Sequence, residues 1–226
     1  MQQSEGYRAV LFDFDGTLAD SESAHFSVWN DILAEFGSHI DEEEYRRESS
    51  GVPVPQEAER MIATRGLDIG RDALVERKVD RTVKRFTEQP IALMAHALET
   101  LAWCHEMTLG MALITGSGRV EIMPTIAHHD LARFFAHIVT RTDVTHSKPH
   151  PESYLTGLER LGVDAARAVA IEDTSHGVEA ARVAGLDVIA IPNAWSQGQD
   201  FSHATVVLES LASARDWIDA RRSSAP

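Results

Sequence analysis

Short apolar runs that end abruptly in polar residues constrain this sequence more than any other feature. They occupy residues 9–12, 111–114, 168–171 and 188–191. Runs this short and this apolar are typical of strands that are buried on both faces. Segments between them carry apolar residues at helical spacing. The alternation predicts an α/β fold, a three-layer, Rossmann-like core in which helices cover both faces of a parallel sheet.

A long helical stretch interrupts this alternation after the first predicted strand. From about residue 20 to residue 86, apolar side chains such as Phe26, Trp29 and Leu33 recur at helical spacing. One crossover helix does not fill so long a segment, so we interpret the stretch as an inserted helical cap. The expected domains are a Rossmann-like core of residues 1–18 and 88–226, and a cap domain of residues 19–87.

The charge of the chain argues against several kinds of partner. Its 226 residues carry a formal net charge of −14. Without a basic stripe, we expect no nucleic acid partner and no anionic membrane surface. No apolar stretch approaches the ~20 residues that cross a bilayer, and the first six residues lack the features of a signal peptide. The single cysteine, Cys104, cannot form an internal disulfide, and we expect a cytoplasmic protein. We expect the chain to be a monomer or a weak homodimer.

Polar side chains gather where the predicted strands end. Ligands of such sheets bind beyond the carboxyl ends of the strands. We therefore expect these side chains, although distant in sequence, to converge in one place. They are Asp13, Asp15, Thr115, Lys148, Glu172 and Asp173.

The paired aspartates at the first strand end favour a bound cation. Asp13 and Asp15 are two positions apart, so both side chains can point the same way, and two like charges that close should repel. Asp173 would bring a third carboxylate. Oxygen ligands without a neighbouring Cys or His favour Mg²⁺ over Zn²⁺. The alternative is that these acids only cap turns, which is favoured for Asp15-Gly16 alone but not for all the strand ends together.

This set of residue types is suited to phosphoryl transfer. One carboxylate can attack phosphorus, and a second can protonate the leaving oxygen and later activate water. Thr115, with the turn of residues 116–118 at a predicted helix start, can hold phosphate oxygens. Lys148 can neutralise their charge.

At this point the motifs resemble those of the haloacid dehalogenase superfamily, in its phosphatase branch. Asp13-Phe14-Asp15-Gly16-Thr17-Leu18 matches the first motif, DxDGT. The other three motifs are similar to residues 114–117, 148–152 and 171–174. All four occur in order, and the resemblance covers residues 9–208. The dehalogenases of the superfamily lack the second aspartate, so Asp15 argues against dehalogenation.

The resemblance implies a role for each motif residue and Mg²⁺ as the cofactor. Asp13 is the expected nucleophile and a metal ligand. Asp15 is the expected acid and base, and it ligates the metal through its backbone carbonyl. Asp173 is a further metal ligand, and Glu172 acts through water. The expected phosphate-binding residues are Thr115, Gly116 and Lys148.

The helical insert resembles the cap of the β-phosphoglucomutase and phosphoglycolate phosphatase group. That similarity implies a phosphomonoester hydrolase of a small phosphorylated metabolite, a sugar phosphate or a phosphoglycolate-like acid, with a sugar phosphomutase as the alternative. Gly51 is followed by no basic residue until Arg60. Since the mutases usually carry an arginine shortly after this glycine, the sequence favours hydrolysis, although Arg46 or Arg47 could substitute.

Two further questions stay open at the level of sequence. A non-catalytic binding protein on the same fold is less favoured, because every motif residue is retained. His25, near the expected cap hinge, and Arg119, at a predicted helix start, are candidates for substrate contact.

Overall fold

The computed structural model describes residues 6–222. Its centre is a six-stranded sheet in which all paired neighbours run parallel, in the order β3-β2-β1-β4-β5-β6. The first five residues, on which part of the localisation argument depends, lie outside the described range. The strands are β1 (Ala9–Phe12), β2 (Gly110–Ile114), β3 (His137–Val139), β4 (Ala168–Glu172), β5 (Asp187–Ala190) and β6 (Val206–Val207).

Nine α-helices surround or follow this sheet in the described part of the chain. Four of them come between β1 and the rest of the core, and five are interleaved with the later strands. They are α1 (Glu22–Ala34), α2 (Glu42–Glu48), α3 (Val54–Arg65), α4 (Arg71–Glu88), α5 (Ala97–Glu106), α6 (Arg119–His128), α7 (Glu152–Leu161), α8 (Ser175–Val183) and α9 (Leu211–Arg222).

Strand β1 lies at the middle of the sheet and explains the three layers. Its residues are fully buried, and their side chains alternate between the two faces. Val10 and Phe12 pack with α5, α6 and α9, whereas Ala9 and Leu11 pack with α7 and α8. The predicted α/β fold with a parallel, Rossmann-like sheet is therefore confirmed.

Helices α1 to α4 have a hydrophobic cluster of their own. Its buried members all fall between Val28 and Leu74, and it shares none of them with the two clusters that flank the sheet. The expected division into residues 1–18 and 88–226 on one side and 19–87 on the other remains a prediction. No helix among the described residues combines the length and apolar character needed to cross a bilayer.

Candidate active site

The carboxyl edge of the sheet gathers the predicted site residues. Asp13 follows β1 directly, and its backbone N–H donates to the Ile171 carbonyl of β4 at 3.0 Å. Thr115 follows β2 and donates in the same way to Val139 of β3, also at 3.0 Å. The backbone ladder thus continues one residue past each strand and fixes both side chains at the rim of the sheet.

Lys148 joins the first and fourth motifs in a buried ion-pair network. Its Nζ lies 2.6 Å from Asp13 Oδ1 and 2.5 Å from Glu172 Oε1. It also donates to the Ile114 carbonyl at 3.0 Å, and the Tyr154 hydroxyl donates to Glu172 Oε1 at 2.5 Å. One cation therefore bridges two carboxylates from the carboxyl ends of the paired strands β1 and β4.

Asp173 occupies the floor of the site and is held from two sides. Its Oδ1 accepts from Thr17 Oγ1 at 3.4 Å, and its Oδ2 accepts from Asn193 Nδ2 at 2.7 Å. The turn after β1 passes so close that a Cβ on Gly16 would overlap the Asp173 carboxylate. Gly16 also has a φ of +80°, a conformation that glycine adopts without strain. The glycine of the first motif is thus required by both backbone and space.

Asp15 points to a different set of partners. Its Oδ1 accepts from Ser21 at 2.7 Å and lies 3.4 Å from His25 Nε2. Its Oδ2 accepts from the hydroxyls of Thr115 at 3.1 Å and Ser117 at 2.7 Å. Four donors around one carboxylate favour its ionised form.

The three aspartates consequently differ in acidity. Burial, reinforced by the negative charge of Glu172, raises the pKa of Asp13 well above its usual range, against the opposing effect of Lys148. Burial and the charge of Asp13 do the same to Asp173. Burial also opposes ionisation of Asp15, but the hydrogen bond and charge of His25 and the serine hydroxyls outweigh it and lower that pKa.

The acids at this edge fit a hard divalent cation. Carboxylate oxygens of Asp13, Glu172 and Asp173 lie within 4.8 Å of one another, and all three residues are buried. Glu172 Oε2 is buried without a hydrogen-bond partner among residues 6–222. Burial, and after it the mutual repulsion of these acids, raises the pKa values of Asp13 and Asp173, and a bound cation would offset both effects. An all-oxygen donor set of this kind suits Mg²⁺.

Helices α1, α2 and α3 supply the other wall of the cavity above Asp13. Glu22, Tyr45, Ser49 and Glu57 line it together with Asp13, Asp15 and Lys148. The Tyr45 hydroxyl donates to Glu22 Oε2 at 2.9 Å, and Trp29 Nε1 donates to Glu57 Oε1 at 3.0 Å. The cavity thus has carboxylates on both of its walls.

A pair of contacts closes this wall against the core. Gly51 has a φ of +76°, and a Cβ there would lie 2.6 Å from Thr174 Cγ2. Trp195, from the loop after β5, packs its ring 5.6 Å from Phe26 and 5.5 Å from Tyr45. The helical wall therefore sits directly on the loops that follow β4 and β5.

The structure treats the two further candidates differently. His25 lines the cavity and connects Asp15 to Lys78, whose Nζ lies 3.0 Å from His25 Nδ1. Arg119 is not brought to the cavity, since its guanidinium donates to the Ile138 carbonyl at 2.9 Å and pairs with Asp143 at 3.4 Å. Gly116 lines the cavity as the sequence led us to expect.

Sequence reasoning missed several residues that shape the site. Lys78 is fully buried, and burial lowers its pKa. It occupies one of four positions on α4, spaced four apart, whose other members are Leu74, Thr82 and Phe86. A lysine in an otherwise inward-facing stripe was a signal that the sequence offered. The other residues missed in this role are Ser21, Glu22, Tyr45, Glu57, Ser117 and Tyr154.

Comparison with known proteins agrees with this geometry. The profile of the haloacid dehalogenase-like hydrolases matches residues 10–191. The chain is 31% identical over 188 residues to a phosphorylated carbohydrates phosphatase of Thermotoga maritima, covering 80% of this chain and 83% of that protein. It is 29% identical over 189 residues to the fructose-1-phosphate phosphatase YqaB of Escherichia coli, covering 83% of this chain and 97% of that protein.

A solved structure has the same architecture. The crystal structure of CbbY from Rhodobacter sphaeroides in complex with phosphate superimposes with a TM-score of 0.82 at 28% identity, covering 91% of this chain and 95% of that one. The resemblance drawn from the four motifs is confirmed. Because the family profile spans most of the sequence and the two curated relatives are phosphatases, the chain belongs to the haloacid dehalogenase-like hydrolases, as an enzyme of their phosphatase branch.

Proposed function

We propose that the protein is a magnesium-dependent hydrolase of small phosphate monoesters, with Asp13 as the nucleophile. The observation that carries this proposal is the position of the Asp13 carboxylate. It lies on the cavity wall with Oδ1 at 2.6 Å from Lys148 Nζ, above Glu172 and Asp173. Attack by its free oxygen on phosphorus forms an aspartyl-phosphate and expels the alcohol.

Asp15 serves as the acid and base of the two steps. Its lowered pKa keeps the carboxylate ionised, so that in the second step it can accept a proton from the water that attacks the aspartyl-phosphate. Without substrate, the Thr115 hydroxyl donates to Asp15. In the first step a phosphate ester competes with Asp15 for this hydroxyl. Loss of that donor and the nearby phosphate charge both raise the pKa of Asp15. It then carries the proton that the leaving oxygen requires.

Thr115, Gly116 and Lys148 hold the transferring phosphoryl group. Two of them line the cavity with Asp13, and Thr115 borders it with its hydroxyl on Asp15. Their hydroxyl, backbone N–H and ammonium groups are fixed by the strand ends before substrate arrives, which lowers the cost of stabilising the transition state.

The residues that would hold Mg²⁺ are Asp13, Asp173, the backbone carbonyl of Asp15 and, through water, Glu172. When bound, the ion supplies positive charge to the transferring oxygens and removes the repulsion among these acids. Asn193 and Thr17 keep the Asp173 carboxylate in place for this purpose.

The substrates are small phosphorylated metabolites, sugar phosphates or phosphoglycolate-like acids, in line with the phosphatases to which the chain is similar. Residues 19–87 act as a cap domain over the core of residues 1–18 and 88–226, a division that the separate hydrophobic cluster of α1 to α4 supports. We place the enzyme in the cytoplasm, as a monomer or weak homodimer.

Phosphate release separates this function from its alternatives. With Mg²⁺, the purified protein should release phosphate from p-nitrophenyl phosphate, stop when EDTA is added and recover with excess Mg²⁺. Substantial turnover without a divalent cation would contradict the mechanism. β-Glucose 1-phosphate with a trace of glucose 1,6-bisphosphate should yield inorganic phosphate. Accumulation of glucose 6-phosphate instead would identify a mutase.

A further inference from the structure

The helical wall of the cavity is acidic, and its acids are buried. Glu22 of α1 is 5% exposed and Glu57 of α3 is 4% exposed, and both line the cavity that contains Asp13 and Lys148. Side chains of this charge are almost never buried without a partner or a purpose. This wall faces the part of a substrate that leaves with the alcohol oxygen, because the phosphoryl group occupies the opposite wall.

Glu22 has capacity left for a ligand. Its Oε2 accepts from Tyr45 at 2.9 Å, and the residue lines the cavity that contains Asp13. A buried acceptor beside a cavity is costly until a donor reaches it. A substrate hydroxyl supplies such a donor, whereas a carboxylate or phosphate group supplies only further acceptors.

No lysine or arginine in the described lining of the cavity is free to receive a second anion, and His25, which also lines it, is paired with Asp15. Lys148 is the one lysine or arginine there, and it is already paired with Asp13 and Glu172. Arg46 and Arg60 turn to other partners. Arg46 pairs with Glu42 and lies over the Trp195 ring, and Arg60 pairs with Glu44 and donates to Ser49.

The charge of the two acids depends on pH. Burial, more than any neighbouring charge, raises the pKa of Glu22 to about 8 and that of Glu57 to about 7. Near neutral pH each carboxyl therefore carries a proton for part of the time. In that form it donates to a hydroxyl oxygen as well as accepting from a hydroxyl group.

We propose that Glu22 and Glu57 make the enzyme select phosphate monoesters of uncharged polyhydroxylated alcohols and reject esters that bear a second anionic group. This inference rests on the proposed function and narrows it. Phosphate esters of hydroxy acids, such as phosphoglycolate, and bisphosphorylated sugars then become poor substrates. Their second anion would meet two carboxyls and no free lysine or arginine in the described lining.

Two matched substrate pairs test the selection. Glycerol 3-phosphate is compared with 3-phosphoglycerate, and fructose 1-phosphate with fructose 1,6-bisphosphate, by phosphate release in excess Mg²⁺ at about pH 9, where both carboxyls are mostly ionised. In both pairs kcat/KM of the wild-type enzyme should be at least tenfold higher for the member without the second anion. Equal or reversed preference in either pair would overturn the proposal.

Two variants test the residues, and a third serves as their control. Glu22→Gln and Glu57→Gln keep the shape of each side chain and remove its charge, and each should reduce both ratios at least fivefold. Glu59→Gln alters an exposed glutamate of the same helix α3, paired with Arg71, and should leave them unchanged. Ratios in Glu22→Gln and Glu57→Gln that match those of Glu59→Gln would refute the assignment.

Hydrolysis of p-nitrophenyl phosphate separates this inference from the function on which it rests. If the wild-type enzyme hydrolyses p-nitrophenyl phosphate but shows no preference within the pairs, only the selectivity proposal fails. If it releases phosphate from none of the five esters, the proposed function fails, and the selectivity proposal fails with it. Far-UV circular dichroism of each variant verifies that the loss of selectivity is not a loss of fold.

Discussion

The two walls of the cavity are built in different ways. The core wall consists of strand ends, where Asp13 and Thr115 are fixed by backbone hydrogen bonds to the neighbouring strands. The helical wall consists of side chains from three separate helices, α1, α2 and α3, such as Glu22, Tyr45 and Glu57. The core wall thus fixes the chemistry of phosphoryl transfer in backbone geometry. The helical wall fixes selectivity through replaceable side chains.

The two walls also treat charge differently. On the core side Lys148 bridges Asp13 and Glu172, and Asp15 has four donors. On the helical side Glu22 accepts from the Tyr45 hydroxyl and Glu57 from the Trp29 indole, and no lysine or arginine pairs with either within the described chain. We therefore expect substitutions on the core side to abolish turnover, and substitutions on the helical side to change which substrate is turned over and how stable the fold is.

Replacement of the proposed nucleophile should have the largest effect. Asp13→Asn preserves the size of the side chain but removes the attacking carboxylate, so kcat for p-nitrophenyl phosphate should fall at least about 10³-fold. Asp31→Asn, at an exposed position of α1, is the matched control and should keep full activity. If Asp13→Asn retained a tenth of the wild-type rate, the proposal that the core wall carries out the chemical steps would be contradicted.

Loss of the bridging lysine should come next. Lys148→Gln takes away the cation between Asp13 and Glu172, and kcat/KM should fall by about 10². The positive charge of Lys148 holds down the pKa of Asp13, and the nucleophile must be ionised. The acid limb of the pH–rate profile should therefore move to higher pH in the variant. Lys84→Gln, an exposed position of α4, should leave the profile in place, and an unmoved limb in Lys148→Gln would contradict this account.

The contact between the walls should have an intermediate effect. Gly51→Ala places a methyl group 2.6 Å from Thr174 Cγ2 and should lower kcat/KM about tenfold, because the helical wall can no longer sit on the core. Gly37→Ala is an informative control, since Gly37 also has a positive φ, +68°, but has nothing within 4 Å of its Cβ position. Both variants suffer the same backbone strain. Only Gly51→Ala should lose activity, and equal losses would show that strain rather than contact matters.

The last expected effect is on the stability of the fold rather than on turnover. Because burial raises the pKa of Glu22 from 4.5 to about 8, the folded state holds a proton that the unfolded state releases as the pH rises through this window. Wild-type stability should therefore fall from pH 5 to pH 8 through this group. Relative to the wild type, Glu22→Gln should gain roughly 3 kcal/mol over that interval, measured by urea unfolding. Glu42→Gln, at an exposed position of α2, should show no such trend.

The sheet core and the core wall of the cavity could be predicted from the sequence, and the reason is physical. Three of the motif residues, Asp13, Thr115 and Asp173, directly follow short apolar strands, and in a parallel sheet all such positions meet at one edge. Knowing that Asp13, Thr115 and Asp173 end strands is therefore enough to place them together. The strands β3 and β6, which have only three and two residues, were predictable only as candidates because so few residues carry little periodicity.

The helical wall could not be predicted in the same way. Helix faces are assigned from apolar spacing, and this procedure assigns charged residues such as Glu22 and Glu57 to solvent. Their burial depends on how α1 and α3 pack against each other and against the loops of the core. Arg119 shows the opposite error, since a basic residue at a helix start next to the second motif is drawn away by Asp143.

The ring of Trp195 belongs by sequence to the sheet and by packing to the helices. It extends from the loop after β5 into the hydrophobic cluster of α1 to α4, against Phe26 and Tyr45 and beneath Arg46. Any separation of the two walls must transfer this indole from an apolar, cation-capped environment into water. Its emission would then shift to longer wavelengths, so the protein carries an intrinsic optical reporter at the contact between the two walls.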